Sequence, residues 1–114
     1  MPDSVRNGTE TTAEPDLTGQ QLGDYRLLRR LGRGAMAEVY LAQQQSLRRQ
    51  VAFKVLKLSL AGDENYVRRF HNEAQAAAAL VHANIVQIHE VGQIDGTHFI
   101  VQEYVPGQNL KQYL

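Results

Sequence analysis

Two glycines and a lysine, spaced among apolar runs, constrain this chain most. Residues 31–42 read Leu31-Gly32-Arg33-Gly34-Ala35-Met36-Ala37-Glu38-Val39-Tyr40-Leu41-Ala42, and after a polar stretch the chain continues Val51-Ala52-Phe53-Lys54. Before the glycines, Tyr25 to Leu31 alternates loosely. Tyr25, Leu27 and Leu31 fall on one face and Arg26, Leu28 and Arg30 on the other, as expected of a strand. Ala37 to Gln43 alternates again, with Val39 and Leu41 opposite Tyr40 and Ala42. The glycines therefore sit in a hairpin. A dinucleotide-binding loop needs a helix straight after its glycines and an acid about twenty residues on; here a strand follows, and the later residue is a lysine. Glycines also let a backbone approach phosphate oxygens and donate N–H bonds to them, and a lysine behind the loop supplies countercharge. A lone Gly-x-Gly is equally compatible with an ordinary turn, so the rest of the chain has to decide.

Gln43 to Gln50 is polar and makes the next turn. Val51 to Leu58 is β-branched and aromatic enough for a third strand, on which Lys54 lies on the face opposite Phe53 and Val55. A lysine inside an apolar strand is costly without a partner, and Asp63, Glu64 and Glu73 all compete for that role. Ser59 to Gly62 breaks the pattern. Asp63 suits a helix N-cap and Glu64 the positive end of a helix dipole. Tyr66, Phe70, Ala74, Ala77 and Val81 recur at helical spacing, and Ala76 to Ala79 has the highest helix propensity available, so the spacing predicts one helix over 64–80. Val81 to Ile85 is a connector. Val86–Val91 and Thr97–Tyr104 read as two further strands about an Asp95-Gly96 turn. Pro106-Gly107 ends the sheet, and Asn109–Leu114 begins to look helical. The fold expected is α+β: a five-stranded antiparallel sheet with one helix after the third strand.

Residues 1–21 form a polar head with almost nothing apolar. Such a segment cannot bury enough surface to offset its ordering entropy, and it reads as a disordered leader, either inert or a phosphate acceptor at Ser4, Thr9, Thr11, Thr12 or Thr18. Residues 22–114 leave room for one small domain. Twelve Lys and Arg balance twelve Asp and Glu, which argues against a nucleic-acid partner. The absence of cysteine excludes disulfides and thiolate metal sites. No apolar run approaches the roughly 18–20 residues of a membrane span, and no signal peptide is visible, so a cytoplasmic location is the default expectation. His71, His82, His89 and His98 fall on different elements without ligand spacing on one face, and no metal site is expected from them.

The motifs in their order resemble the small lobe of a protein kinase, most strongly the bacterial serine/threonine kinases of the eukaryotic type. Gly32 to Tyr40 resembles the family's phosphate loop and Val51-Ala52-Phe53-Lys54 its lysine strand. Phe70-His71-Asn72-Glu73-Ala74 resembles the helix carrying the glutamate partner. His82-Ala83-Asn84-Ile85-Val86 resembles the family's His-Pro-Asn-Ile-Val connector, and Ile100 to Val105 the strand entering the hinge. The resemblance implies that Lys54 contacts the α- and β-phosphates of ATP and that Glu73 orients it. It implies a phosphate loop of Gly32, Arg33, Gly34, Ala35, Met36 and Ala37, with Ala37 standing where the family has its third glycine. It implies an adenine slot roofed by Leu31, Val39 and Ala52, with Gln102 as gatekeeper and hinge contacts at Glu103 and Val105. It also implies that Ala77 and Ile88 belong to the stack of apolar side chains that joins the two lobes.

The same resemblance marks what this stretch does not contain. No His-Arg-Asp loop and no Asp-Phe-Gly motif occurs, so the catalytic aspartate and the ligands of the expected Mg2+ are not in this chain. The expectation is an ATP-binding lobe of a serine/threonine kinase, which transfers the ATP γ-phosphate to protein hydroxyls, truncated before its large lobe. The protein substrate would be held by that lobe, and the fragment alone is expected to be inactive. Alternatives are a stand-alone nucleotide-binding or decoy module, or an unrelated β-rich interaction domain.

Overall fold

The hairpin expected around the glycines forms, and the sheet grows outward from it. The structure, a computed structural model, describes residues 14–79 and 86–107. Its elements in chain order are β1 (Gln21–Leu22), β2 (Tyr25–Arg33), β3 (Ala37–Gln44), β4 (Arg49–Leu56), a 3-10 turn (Leu58–Leu60), α1 (Glu64–Ala78), β5 (Ile88–Ile94) and β6 (Thr97–Glu103). One antiparallel sheet runs in the order β1-β2-β3-β4-β6-β5. The fold is α+β with one helix after the lysine strand, as expected, but it has six strands rather than five. The sixth is the two-residue β1, which turns back onto β2 through Gly23 at φ +57°. A Cβ at Gly23 would stand 2.8 Å from Ile94 Cδ1, so both the left-handed backbone and the close approach call for glycine.

Strand ends move by a few residues, and turns set them. Arg48, at φ 51°, reverses the chain, so β4 begins at Arg49 and ends at Leu56 rather than Leu58. Asp95 at φ 51° and Gly96 at φ 80° make the two-residue turn between Ile94 and Thr97, the backbone that an Asp-Gly hairpin favours; β5 runs on to Ile94 accordingly. Asp63 caps α1 as expected, its carboxylate accepting from the Asn65 N–H at 2.9 Å. The connector 81–85 and the suggested helix at Asn109–Leu114 lie outside the described residues.

The part of the expected leader that the structure describes is ordered. Residues 14–20 pack onto the sheet: Leu17 is buried, its N–H donates to the Tyr40 hydroxyl at 3.0 Å, and the Gly19 N–H donates to Leu27 O at 2.7 Å. The Glu14 carboxylate accepts from the N–H groups of Leu58 (2.6 Å) and Ser59 (3.0 Å). One leucine and a set of main-chain hydrogen bonds anchor a stretch that is otherwise polar.

Both sheet faces are covered. On one, Tyr25, Phe53 and Phe99 form an aromatic trio with ring centroids 4.9–6.1 Å apart, and Leu17 and Leu22 lie over it. On the other, Phe70 and Ala74 of α1 pack on Ala37, Leu56 and Ile100. Burial of both faces explains why all but the last two residues of β3 are buried. The candidate site lies on the helix-bearing face.

Candidate functional site

Residue alternation in β4 puts Ala52, Lys54 and Leu56 on the helix-bearing face, with Phe53 and Val55 against the aromatic trio. In register, Lys54 stands between Val39 of β3 and Ile100 of β6, and Ala52 between Leu41 and Gln102. Lys54 is half-buried. Burial pulls its ammonium below the ordinary lysine range, and the negative charge of Glu73 on α1 acts in the opposite direction. Of the three competing acids, Glu73 is the one whose field reaches Lys54. Its own side chain remains exposed.

An apolar slot adjoins the lysine. Val39, Ala52 and Val86 form a buried cluster, with Leu31 and Tyr104 packed against it. Leu31 reaches this cluster because β2 is irregular. The β2–β3 register slips between Leu27 and Arg29 and again between Arg30 and Gly32. Each slip adds a residue to β2 and resets which face later side chains occupy. Leu27 stays with the aromatic trio while Leu31 faces the slot, so the regular alternation that put both on one face is corrected here. Val86 and Tyr104 are slot residues that the motifs do not single out; both are expected at strand ends, but the strands run Ile88–Ile94 and Thr97–Glu103 and leave them just outside. Gln102, beside Ala52, is fully buried, and among the described residues neither atom of its side-chain amide has a hydrogen-bond partner.

The glycine loop closes on itself. Gly34 N–H donates to Ala37 O at 2.7 Å, so that donor is already engaged, and a Cβ at Gly34 would crowd the same oxygen at 3.3 Å. Ala35 follows in the turn. Met36 and Ala37 pack toward the helix cluster rather than into solvent, and Met36 O accepts from the Lys57 N–H at 2.9 Å. Glu38 braces the hairpin: it is nearly fully buried, pairs with Arg30 Nη1 at 3.3 Å and approaches Arg33 Nε at 3.9 Å. The Tyr40 hydroxyl donates to Glu38 Oε1 at 3.3 Å. This brace had no signal in the sequence beyond an acid beside two arginines.

The remaining expected residues lie at the end of β6. The Glu103 N–H donates to Gln87 O at 2.8 Å, and half-buried Val105 follows β6. Ala77 is buried on α1, and Ile88 packs with the helix cluster. Of the histidines, His71 and His98 come within hydrogen-bond distance across α1 and β6; His82 lies outside the described residues. Among the described residues no three His, Asp or Glu side chains are grouped to hold a metal. No described helix is long and apolar enough to cross a membrane.

Known proteins with similar sequences share one description. The sequence profile "Protein kinase domain" matches residues 25–114. The chain is 46% identical over 99 residues to serine/threonine-protein kinase PrkC of Bacillus subtilis (strain 168), covering 86% of this chain and 15% of that protein. It is 42% identical over 93 residues to serine/threonine-protein kinase PknF of Mycobacterium tuberculosis, covering 82% and 20%. Among solved structures, the Mycobacterium tuberculosis PknI kinase domain superposes with a TM-score of 0.62 at 39% identity, over 77% of this chain and 36% of that one. The chain thus spans well under half the length of each of these relatives.

Proposed function

The chain belongs to the protein kinase family, as its N-terminal part, and from that premise we propose that it is the ATP-binding lobe of a serine/threonine kinase. One juxtaposition carries the reading. A half-buried lysine within the field of Glu73 shares its sheet face with an apolar slot and pairs in register with Val39, on the strand that follows the glycines. A nucleotide has the matching parts: a flat base for the slot and a polyphosphate for the lysine.

Leu31, Val39 and Ala52 enclose the base, and the backbone at Glu103 and Val105 meets its edge. The buried amide of Gln102, without a partner among the described residues, fits a base that brings its own polar edge. Gly32, Arg33, Gly34, Ala35, Met36 and Ala37 form the loop over the phosphates, where Gly34 must exchange its bond to Ala37 O for one to the ligand. Lys54 holds the α- and β-phosphates and Glu73 keeps it oriented and charged. ATP supplies the γ-phosphoryl group that a kinase moves to a protein hydroxyl. Magnesium accompanies it in the complete enzyme, but among the described residues no acids or histidines are grouped to hold that ion, and transfer belongs to the whole kinase in the cytoplasm.

Titration of the 114-residue chain with ATP tests the reading. Saturable binding is expected, together with at least a tenfold loss, about 1.4 kcal/mol, in Lys54→Met at unchanged melting temperature. Equal binding by the variant would remove Lys54 from the site.

A further inference from the structure

His71 of α1 and His98 of β6 meet ring to ring: Nε2 of His71 lies 2.9 Å from Nδ1 of His98, with ring planes at 72°. His98 is buried and His71 half-buried. At that separation one nitrogen donates and the other accepts, so the contact tolerates at most one proton between the two facing nitrogens. The rest of the α1 seat is apolar, made largely by Phe70 and two alanines, Ala74 and Ala77. Apolar contacts of small side chains permit sliding and rotation, whereas a hydrogen bond between rings fixes both.

We infer that the His71–His98 bond is a pH-sensitive latch that positions α1, and through it Glu73, against the sheet face bearing Lys54. The inference rests on the reading of Lys54 and Glu73 as a working pair. His71 and His98 are positioning residues; neither touches the proposed nucleotide site.

When both rings are protonated, the facing nitrogens are both donors and both charges repel, so the bond is lost. Burial, and then the charge of His98, hold the His71 imidazole below its ordinary value. The latch therefore contributes fully above the free-histidine pKa of about 6.5, survives the first proton, and is lost as the second ring takes its proton at lower pH. Other charged groups around the pair are engaged elsewhere. On α1, Arg68 bonds Asn65, Arg69 lies over Tyr66, and Glu73 acts on Lys54. On β5, Glu90 bonds the Tyr25 hydroxyl and His89 answers to Arg49 and Glu103. Opposite His98 on β5 stands uncharged Gln93.

Amide hydrogen exchange of the 114-residue chain at pH 7.5 and 5.5, corrected for intrinsic rates, reads the latch without any nucleotide. In the wild type, α1 protection should fall about threefold to tenfold relative to β3 and β4 on acidification, the worth of one hydrogen bond. His98→Gln should remove that dependence, because a glutamine oxygen accepts from the His71 N–H whether or not the ring is protonated. His98→Ala should leave α1 less protected than the wild type at pH 7.5 and no longer sensitive to the pH change. An unchanged wild-type profile, or the same acid loss in His98→Gln, overturns the latch. ATP affinity measured in parallel keeps the two readings apart: an absence of binding at either pH removes the nucleotide reading, while exchange still judges the latch. If ATP binds, the wild-type to His98→Gln affinity ratio should fall on acidification; a constant ratio overturns the coupling to Glu73.

Discussion

Gln102 carries a cost at the residue scale. An amide buried without a partner costs about 1–3 kcal/mol, and among the described residues this one has no partner for either atom. An apolar side chain of similar length removes that cost, so Gln102→Met should raise the stability of the nucleotide-free chain by about 1 kcal/mol or more. If the amide meets the base, the same variant should bind ATP more weakly; denaturant melts and ATP titration on one preparation read both quantities. A variant that is more stable and binds equally well would make the glutamine a packing residue. The face of Lys54 was legible from alternation alone, because β4 pairs without a slip on both sides. Leu31 was not, because the slip at Leu28 resets the faces after it, Leu31 itself lies in a second slip, and nothing local in the sequence marks a bulge. The His71–His98 contact was illegible for another reason. It joins residues 27 apart, and periodicity within one element says nothing about which faces of two elements meet.

At the scale of elements, α1 is the piece whose seating matters most and whose grip is thinnest. Its cap and extent were readable, since Asp63 and the alanine run act locally. Its hold on the sheet depends on Phe70, Ala74 and Ala77, and alanine offers little area. Ala77→Leu adds three carbons, and burying about one CH2 equivalent of them should gain about 0.8 kcal/mol, or about fourfold slower amide exchange in α1. Equal exchange in the two proteins would mean that Ala77 already seats the helix fully. The β2–β3 hairpin is the contrasting element. Glu38 ties it to Arg30 and Arg33 from the far face, which holds the glycine loop at both shoulders while the loop itself closes through one hydrogen bond between Gly34 and Ala37.

At the scale of the molecule, the two faces of the sheet divide the work. The face with the aromatic trio is sealed by residues 14–20 and carries stability; Glu14 and Leu17 fasten that strap to the 3-10 turn after β4 and to Tyr40. The opposite face carries Lys54, the slot and α1. The strap was hidden in the sequence because a single leucine among polar residues has no periodicity, and main-chain hydrogen bonds leave no compositional trace. The sheet order and the single helix were legible because turn residues and alternation act over short range.

The most direct test of this division is amide NMR of the 114-residue chain titrated with ATP. Shifts are expected at Gly32, Gly34, Val39, Ala52, Lys54, Gln102 and Val105, saturating together, with Leu17, Tyr40 and Phe53 little changed. Shifts centred on the strap and the aromatic face, or no saturable shifts at all, would contradict the account.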